Sequence, residues 1–342
     1  MKVAIVILNW NGKALLEKFL PSVITNNCSY ATIYVADNAS TDDSISFLKT
    51  NFPQIEIISN AVNGGFAKGY NDALRKIDAD YYVLLNSDVE VTANWIESVI
   101  ALMESDNQIA ACQPKIKSYN NKDYFEYAGA AGGFIDKYGY PFCRGRIFNS
   151  FEKDEGQYND VKEIMWATGA CLFIRADIYK KVGGLDEDFF AHMEEIDLCW
   201  RIKNLGWKIM YCPYSTVYHL GGGTLSKINH HKTYLNFRNN LYLLCKNHSS
   251  EYFRIKLFLR FILDGIAAIK FLGSLEFDHF WAVFRAHMSF YANFSSVLRK
   301  RNELKKQIKT YSTSAIYRES LIKAYFFRGV RKFSELKQDL FY

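Results

Sequence analysis

Short apolar runs alternate with helical segments in the first third of the chain, and this alternation restricts the folds open to it. Val3 to Leu8 is a continuous β-branched and aliphatic run, which is typical of a buried parallel strand. Further strands are predicted at Thr32 to Ala36, Ile55 to Ser59 and Tyr81 to Leu85. Helical segments follow them at Lys13 to Val23, Asp43 to Thr50, Phe66 to Ile77 and Trp95 to Glu104. This spacing predicts an α/β fold with a right-handed, mostly parallel sheet.

Polar residues follow the predicted strands. In sheets of this kind ligands bind beyond the carboxyl ends of the strands. The residues at those ends are Asn9, Asn11, Asp37, Asn38, Asn63 and Asp88. Asp37, in VADNASTDDS, could accept a hydrogen bond from a ribose hydroxyl or a base N–H, or it could form only an Asx-turn and a helix cap.

A glycine cluster, NGGFAKGYN at positions 63–71, lies between the third strand and the next helix. Its glycines permit close backbone approach, and Lys68 could meet a phosphate. No Walker A pattern exists in the chain, and the first strand is not followed by a dinucleotide-binding fingerprint. By itself the cluster is only a weak indication of a phosphate site.

Two strand ends carry candidate metal ligands. In the segment Leu84-Leu85-Asn86-Ser87-Asp88, an apolar strand delivers Asp88 to a position where a carboxylate can bind a divalent cation. His219 closes the β-rich run Lys208 to Tyr218 and is followed by Gly221-Gly222-Gly223. A single histidine at a strand end is more often structural, so the metal hypothesis depends on its pairing with Asp88.

An acidic cluster opens an amphipathic helix later in the chain. Glu194, Glu195 and Asp197 precede an apolar stripe made by Leu198, Ile202 and Leu205. Carboxylates at a helix N-terminus are favoured by the helix dipole, so a capped surface helix is one interpretation. Together with a strand-end acid and a histidine, however, an acid pair is what metal-assisted group transfer requires.

Length and composition indicate a chain without export or membrane-spanning segments. Its 342 residues suggest one large domain with an appendage, or two domains. No stretch of about 18 apolar residues is free of charge, and no signal-peptide cleavage pattern follows the first apolar run. Seven scattered cysteines without CxxC spacing indicate reduced thiols and a cytoplasmic location.

The charge is distributed unevenly along the chain. From His231 onward there are 20 Lys/Arg and 8 Asp/Glu, a net charge of +12, against −6 for the remainder. Apolar helix faces are predicted in this basic part, at Leu257, Phe258, Phe261, Ile262, Ile266 and Ile269, and again at Trp281, Phe284, Met288 and Tyr291. Such a segment is attracted to a polyanion, either a membrane surface or nucleic acid. Nucleic acid is disfavoured because no recognised module is present, whereas packing on the rest of the chain or a homo-oligomer interface stays open.

Taken in order, seven segments resemble the inverting family 2 glycosyltransferases of the GT-A fold, particularly their rhamnosyltransferase-like bacterial branch. The segments are VAIVILNWNG, VADNASTDDS, NGGFAKGYN, LLNSDVE, WATGACLFIRADIYKKVGGLDEDFF, EEIDLCWRIKNLGWKI and VYHLGGGT. The resemblance implies a Rossmann-like catalytic domain over residues 1–230 and a basic, α-helical extension over 231–342. The nucleotide-sugar half would be about 1–110, and the acceptor half about 111–230.

The resemblance also assigns roles to residues. Asp37 would contact the nucleoside, and Asn86-Ser87-Asp88 stands at the family's DxD position with only its last acid kept. Asp88 and His219 would bind Mg²⁺ or Mn²⁺, and Glu195, or its neighbour Glu194, would be the catalytic base. Nucleotide-sugar contacts are expected at Asn9, Asn11, Asp37, Asn38, Asn63, Gly65, Phe66, Lys68, Gly69, Asn71, Asn86 and Ser87. A donor and acceptor pocket is expected at Trp166, Thr168, Gly169, Ala170, Asp197 and Arg201, with Arg201 paired to Asp197 one helical turn away.

The implied activity is transfer of a sugar from a nucleotide-diphosphate sugar, dTDP- or UDP-linked and with rhamnose among the candidates, to a glycan or lipid-linked acceptor. Glu195 would remove the acceptor proton in a single inverting displacement. A catalytically silent nucleotide-sugar-binding scaffold subunit is the alternative, and it should have lost the acids that this chain keeps. The basic extension predicts a peripheral position on the cytoplasmic face of the plasma membrane.

Overall fold

A computed structural model describes residues 1–221, 230–249 and 252–341. Strands and helices alternate in its first third, as the sequence predicts. These elements are β1 (Val3–Asn9), α1 (Lys13–Thr25), β2 (Ala31–Asp37), α2 (Ser44–Asn51), β3 (Glu56–Ser59), α3 (Gly65–Leu74), β4 (Tyr81–Asn86), β5 (Val89–Val91) and α4 (Trp95–Ser105).

The middle of the chain is richer in strands. It contains β6 (Ile109–Ser118), β7 (Gly133–Asp136), β8 (Pro141–Cys143), β9 (Arg146–Ile147), β10 (Ser150–Phe151), β11 (Lys162–Glu163), β12 (Cys171–Arg175), α5 (Ala176–Lys181), a 3₁₀ turn (Glu187–Phe189), α6 (Glu194–Asn204) and β13 (Lys208–His219). The last part is mainly helical. It contains α7 (His230–Asn247), α8 (Phe253–Gly273), α9 (Phe277–Gln307), β14 (Ile316–Tyr317), a π-helical turn (Lys323–Phe327) and 3₁₀ turns at Phe333–Glu335 and Gln338–Leu340.

The main sheet is mixed and lies between two helical layers. Within the described ranges its order is β11-β13-β6-β12-β4-β1-β2-β3, with β5 paired to β13. Strands β4, β1, β2 and β3 are parallel, whereas β12 runs antiparallel between β4 and β6. Alternate residues of β1 enter opposite cores: Val3 and Ile5 pack with α1 and α4, and Ala4 and Val6 with α3. Because both faces are covered, the strand is apolar throughout.

A smaller sheet is completed by the end of the chain. Its order is β10-β9-β8-β7-β14, and β14 pairs in parallel with β7 by setting Ile316 opposite Ile135. The rings of Phe333 and Phe341 then pack on Phe134, with centroids 5.0 and 5.4 Å away. Residues beyond 230 therefore contribute directly to the packing of the middle of the chain.

Helices α7, α8 and α9 pack together, with α7 also contacting α6. None of the helices in the described ranges has both the length and the apolar composition needed to cross a membrane.

Candidate active site

The parallel strands end in one row of polar residues. The pairing register sets Asn9 of β1 beside Asp37 of β2, and Leu8 beside Asn86 of β4. Asn9 and Asp37 are almost fully buried, and the Asn9 amide donates to Asp37 Oδ1 at 3.1 Å. The backbone N–H of Ser40 donates to Asp37 Oδ2 at 3.0 Å. The loop after β2 therefore holds the Asp37 carboxylate at the edge predicted for a ligand.

Asn11 ties the two loops at this edge together. Its backbone has a left-handed φ of 51°. Its side-chain oxygen accepts hydrogen bonds from the backbone N–H groups of Thr41 at 2.7 Å and Asp42 at 3.3 Å. The Asn11 oxygen is thus used within the protein and supports the loop that carries Asp37.

The glycine cluster is closed by the protein's own backbone. Asn38 donates to Asn63 Oδ1 at 2.9 Å and to the carbonyl of Gly65 at 3.1 Å. Gly65 has a φ of +78°, and a Cβ there would lie 2.6 Å from the ring and the carbonyl of Phe190. That carbonyl accepts from Phe66 N at 2.8 Å, at the start of α3. The N-terminus of α3 is consequently capped by Phe190.

Two of the predicted nucleotide-sugar contacts on helix α3 have partners within the protein. Lys68 forms an ion pair with Asp72 at 2.9 Å. Asn71 is buried, and its amide donates to the carbonyl of Leu185 at 2.9 Å. Its oxygen accepts from the hydroxyl of Tyr179 at 2.7 Å. Asn71 therefore joins α3 to the segment after α5, and the hydrogen-bonding groups of its side chain are already used.

Gly69 and Trp166 also serve packing. A Cβ on Gly69 would lie 2.9 Å from the side chain of Leu8 and 3.0 Å from the amide of Asn38, so the glycine permits α3 to approach β1. Trp166 is 4% exposed, and its indole N–H donates to the carbonyl of Phe134 at 2.9 Å. The ring of Trp166 thus lies in the core beneath the small sheet, and its place in a donor and acceptor pocket stays a prediction.

The turn Thr168-Gly169-Ala170, just before β12, lies between the end of β4 and the start of helix α6. The N–H of Ala170 donates to Thr168 Oγ1 at 3.1 Å, and the Ala170 carbonyl accepts from Asn86 N at 3.0 Å. A Cβ on Gly169 would lie 3.8 Å from Cβ of Glu195. The turn thus brings the end of strand β4 and the acid pair to the same place.

Glu194 and Glu195 occupy the first turn of α6, where the sequence places them. Glu194 is 4% exposed, whereas Glu195 is only partly buried. In each, Oε2 is buried and accepts no hydrogen bond from the described residues. Burial raises the pKa of Glu194 well above its usual value, and repulsion by Glu195 adds to that rise. Burial also raises the pKa of Glu195, although backbone amides including that of Gly169 oppose the rise.

Asp197, which is predicted to belong to the donor and acceptor pocket, lies in the interior. It is fully buried and accepts from Arg201 Nε at 2.8 Å, Lys246 Nζ at 2.8 Å and Asn247 Nδ2 at 2.7 Å. The expected pairing of Arg201 with Asp197 is therefore present. Arg201 also donates to the carbonyl of Val182. Both side chains are committed to joining α6 with α7 and the preceding loop.

The backbone before the acid pair is strained. Phe190, His192 and Met193 have φ values of 64°, 68° and 73°, in a region that residues with a Cβ rarely adopt. The amide of Asn239, on α7, lies 2.9 Å from the carbonyl of Ala191 and 2.7 Å from that of His192, and 2.9 Å from that of residue 189. Sequence reasoning missed this residue, because an asparagine within a polar helix gives no sign of its partners.

A second buried cluster lies at the end of β13. Because β13 pairs with β5 by setting His219 opposite Val89, the ring comes next to Asp88. His219 Nε2 lies 3.1 Å from Asp88 Oδ1, and His219 Nδ1 lies 3.0 Å from Glu126 Oε2. All three residues are at most 8% exposed. Glu126 was not predicted, since an isolated acid between β6 and β7 carries no motif.

The charges in this cluster support one another. Burial opposes the charged form of His219, but Glu126 and Asp88 together raise its pKa to about 10. Burial likewise works against ionisation of Asp88 and of Glu126, yet contact with His219 lowers the pKa of both carboxyl groups. The imidazolium is therefore held between two carboxylates, and a metal ion would have to displace its Nε2 proton.

The chemistry of these side chains fits a divalent ion bound mainly by its substrate. Asp88 supplies an oxygen and His219 a nitrogen, at a separation that two ligands of one ion can have. No group of three or more His, Cys, Asp or Glu side chains in the described residues is arranged to hold a metal. Mg²⁺ is often bound by one or two carboxylates together with substrate phosphates. Gly222 and Gly223, which follow His219 in sequence, lie outside the described residues.

Solved structures identify the fold. GalNAc-T7 with UDP, GalNAc and Mn²⁺ aligns with a TM-score of 0.53 and 18% identity over 64% of this chain and 43% of that longer chain. The mannosyltransferase PcManGT from Pyrobaculum calidifontis, in complex with GDP-Man and Mn²⁺, aligns with a TM-score of 0.52 and 13% identity. The alignment covers 91% of this chain and 81% of that chain. S. aureus TarS 1-349 aligns with a TM-score of 0.51 and 13% identity over 77% of this chain and 71% of that chain. The fold is that of the GT-A glycosyltransferases, which confirms the predicted fold class.

Residues 4–183, more than half of the chain, match the model of glycosyl transferase family 2, and the chain belongs to that family. It is therefore a glycosyltransferase. N-acetylglucosaminyl-diphospho-decaprenol L-rhamnosyltransferase of Mycobacterium tuberculosis is 24% identical over 252 residues, which are 69% of this chain and 78% of that protein. Rhamnosyltransferase WbbL of Escherichia coli is 24% identical over 219 residues, which are 62% of this chain and 80% of that protein. The predicted resemblance to the rhamnosyltransferase-like branch is confirmed.

Proposed function

We propose that this glycosyltransferase moves a sugar from a UDP- or dTDP-linked donor to a hydroxyl of a lipid-linked or glycan acceptor, with inversion at the anomeric carbon. The observation that carries the proposal is the turn Thr168-Gly169-Ala170. It contacts Asn86 through a backbone hydrogen bond of 3.0 Å on one side, and it lies against Glu195 on the other. A donor held at the end of β4 is then next to a carboxylate that can take a proton.

Glu195 is the better candidate for the catalytic base. It remains partly exposed, whereas Glu194 is buried. In both residues Oε2 is buried and accepts no hydrogen bond from the described residues, so the partial exposure of Glu195 is what distinguishes it. Burial raises the pKa of Glu195, and a carboxylate with a raised pKa is a stronger base once it is ionised.

Asp88 and His219 are the proposed ligands of Mg²⁺ or Mn²⁺. When bound, the ion neutralises charge that grows on the departing diphosphate. Glu126, 3.0 Å from His219 Nδ1, is placed to orient the ring from the side opposite Asp88. A carboxylate behind a ligating histidine is a common arrangement, because it fixes the ring and raises its basicity. Mn²⁺ in the GalNAc-T7 and PcManGT structures supports this assignment.

The donor's nucleoside is assigned to the edge formed by Asn9, Asp37 and the loop after β2. The acceptor assignment draws on the mycobacterial relative, whose name specifies an L-rhamnosyl group and a diphospho-decaprenol acceptor. A lipid-linked acceptor also suits the proposed peripheral position on the cytoplasmic face of the plasma membrane.

Thermal-shift screening of the full chain tests the donor assignment. UDP-, dTDP- and GDP-sugars would each be added with and without Mn²⁺, because a bound ligand raises the melting temperature with its concentration over Kd. We expect a UDP- or dTDP-sugar to give the largest shift, and Asp88→Asn to reduce its Mn²⁺-dependent part. A GDP-sugar as the strongest binder would contradict the donor assignment. An Asp88→Asn shift equal to that of the wild type would contradict the metal site.

A further inference from the structure

Helix α8 has the reverse orientation of an ordinary surface helix, with its apolar residues outside and a charged pair inside. A surface helix buries its apolar stripe and exposes its charges. Here Arg260 and Asp264 are 3% and 1% exposed. The large apolar side chains face outward instead, with exposed fractions of 62% for Phe258, 47% for Ile262, 58% for Ile266 and 68% for Ile269.

The inward charges fix this orientation. Arg260 Nε donates to Asp264 Oδ1 at 2.7 Å, and the guanidinium lies 3.7 Å from the centre of the Tyr140 ring. Arg260 also donates to Asn240 on α7. Because a buried ion pair must keep its partners, turning the apolar stripe inward would expose it and break these contacts.

Helix α9 continues the exposed apolar surface. It buries the small residues Ala282 and Ala286 beside Phe290 and Val297. Its large side chains lie on the outside at three- and four-residue spacing, at Trp281, Phe284, Met288 and Tyr291, each at least 43% exposed. We call the outward residues of both helices, from Ile255 to Tyr291, the hairpin face. The rings of Phe261 and Tyr291, with centroids 5.5 Å apart, join the two helices at this surface. Large exposed apolar surfaces mark docking sites for a membrane or a protein.

Charge favours a membrane as the occupant. The exposed cations Arg254, Lys270 and Arg285 lie on the same two helices, which also expose the acids Glu276 and Asp278 where they meet. The whole segment from His231 onward has a net charge of +12. A second copy would bring two such segments together, whereas an anionic lipid surface complements them. The exposed tryptophan and tyrosine suit the boundary between headgroups and acyl chains.

We propose that the hairpin face lies in the surface of a bilayer containing anionic lipid and attaches the enzyme there without crossing it. This docking rests on the proposed function and adds to it the surface at which the enzyme meets a lipid-linked acceptor. An open cavity of about 330 Å³ lies between α7 and α9, lined by His231, Tyr234 and Arg285. Helix α7 also carries Asn239, which donates to the strained loop before the acid pair.

Vesicle co-sedimentation of the full chain tests the proposal. Vesicles of phosphatidylcholine alone would be compared with vesicles containing phosphatidylglycerol. The variant Phe258→Gln/Ile262→Gln/Ile266→Gln/Ile269→Gln removes four apolar side chains from α8. Val62→Gln/Tyr214→Gln, which removes two from exposed positions elsewhere, is the control. We expect the wild type and the control to bind only the anionic vesicles, more weakly in salt. The fourfold variant should bind at least about a hundredfold less, because each lost apolar side chain weakens partitioning.

Equal binding by the fourfold variant and the wild type, or no wild-type binding to anionic vesicles, would overturn the proposal. A wild-type dimer in sedimentation velocity that the variant dissociates, without vesicle binding, would identify a second copy as the occupant and overturn it as well. Thermal shifts with nucleotide sugars, measured without lipid on the same proteins, test the proposed function independently of membrane docking. Vesicle binding without any donor shift would contradict only the activity, and donor shifts without vesicle binding only the docking.

Discussion

The helices around the main sheet and the helices of the hairpin face have similar apolar periodicity but opposite orientation. Helix α4 buries Trp95, Ile96 and Val99 against the sheet. Helix α8 buries Arg260 and Asp264 and leaves its isoleucines outside. An apolar stripe therefore identifies a face that avoids water, but it does not say whether the protein itself or another surface covers that face. The two regions should respond differently to equivalent substitutions.

The largest effect is expected in the sheet region, at Glu195. Glu195→Gln keeps the size of the side chain and removes the proton acceptor, so turnover should fall by about 10²–10⁴-fold. Donor binding, measured by thermal shift, should be nearly unchanged. Because burial raises the pKa of Glu195, wild-type turnover should be lost on acidification at a pH above the usual glutamate value of 4.5.

Glu194→Gln is the control for that substitution. A loss of turnover in Glu194→Gln that exceeds the loss in Glu195→Gln would reverse their assignment. Retention of more than about a tenth of wild-type turnover by both variants would remove the acid pair from the proposed mechanism, given the usual size of general-base catalysis.

The next largest effect is expected inside the hairpin. Asp264→Ala leaves the buried guanidinium of Arg260 without its carboxylate, which should lower the free energy of unfolding by about 3–5 kcal/mol. Urea unfolding measures the change, and Glu303→Ala, which removes an exposed acid on α9, is the control. Equal losses in the two variants would mean that the buried pair does not set the orientation of α8.

A smaller effect on activity is expected where the two regions meet, at Asn239. Asn239→Ala removes the amide shared by the carbonyls of residues 189, 191 and 192, so the acid pair should shift. We expect kcat to fall by about 10- to 100-fold while KM for the donor changes little, because small displacements of catalytic groups are costly. The exposed Asn293→Ala on α9 is the control, and a proportional change in kcat and KM would contradict a positioning role.

The smallest effect is expected on the hairpin face itself. Ile266→Ala should change the free energy of unfolding by no more than about 0.5 kcal/mol, because the side chain is 58% exposed. Ile100→Ala, at a buried position in α4, should cost about 2–5 kcal/mol. A large loss in Ile266→Ala would show that this face is packed within the protein.

The sequence predicts the sheet region well because several signals there agree. Apolar runs mark β1, β2, β3 and β4, and the polar residues that follow them do share one edge. The acid pair and the His219–Asp88 contact were also anticipated. These features depend on local periodicity and on the rule that parallel strands end together.

Other features depend on contacts that no local pattern records. Asn71, Trp166 and Asp197 have the chemistry of substrate-binding residues, yet each is satisfied by an internal partner contributed from elsewhere in the chain. Glu126 and Asn239 carry no motif and acquire their roles only through distant neighbours. The orientation of α8 is of the same kind, since Arg260 reaches Asn240 and the ring of Tyr140 only in the folded chain.

The pairing of β14 with β7 has a consequence for biosynthesis. The N–H of Leu321, just after β14, donates to the carboxylate of Asp136, 185 residues earlier in the chain. The ribosome synthesises the chain from its N-terminus to its C-terminus, so β7 is complete long before its partner strand is made. Until then, that edge offers unpaired backbone groups to any other strand. Premature termination near the end of the coding sequence should therefore yield aggregating protein even when every residue of the acid pair and the sheet edge has been synthesised.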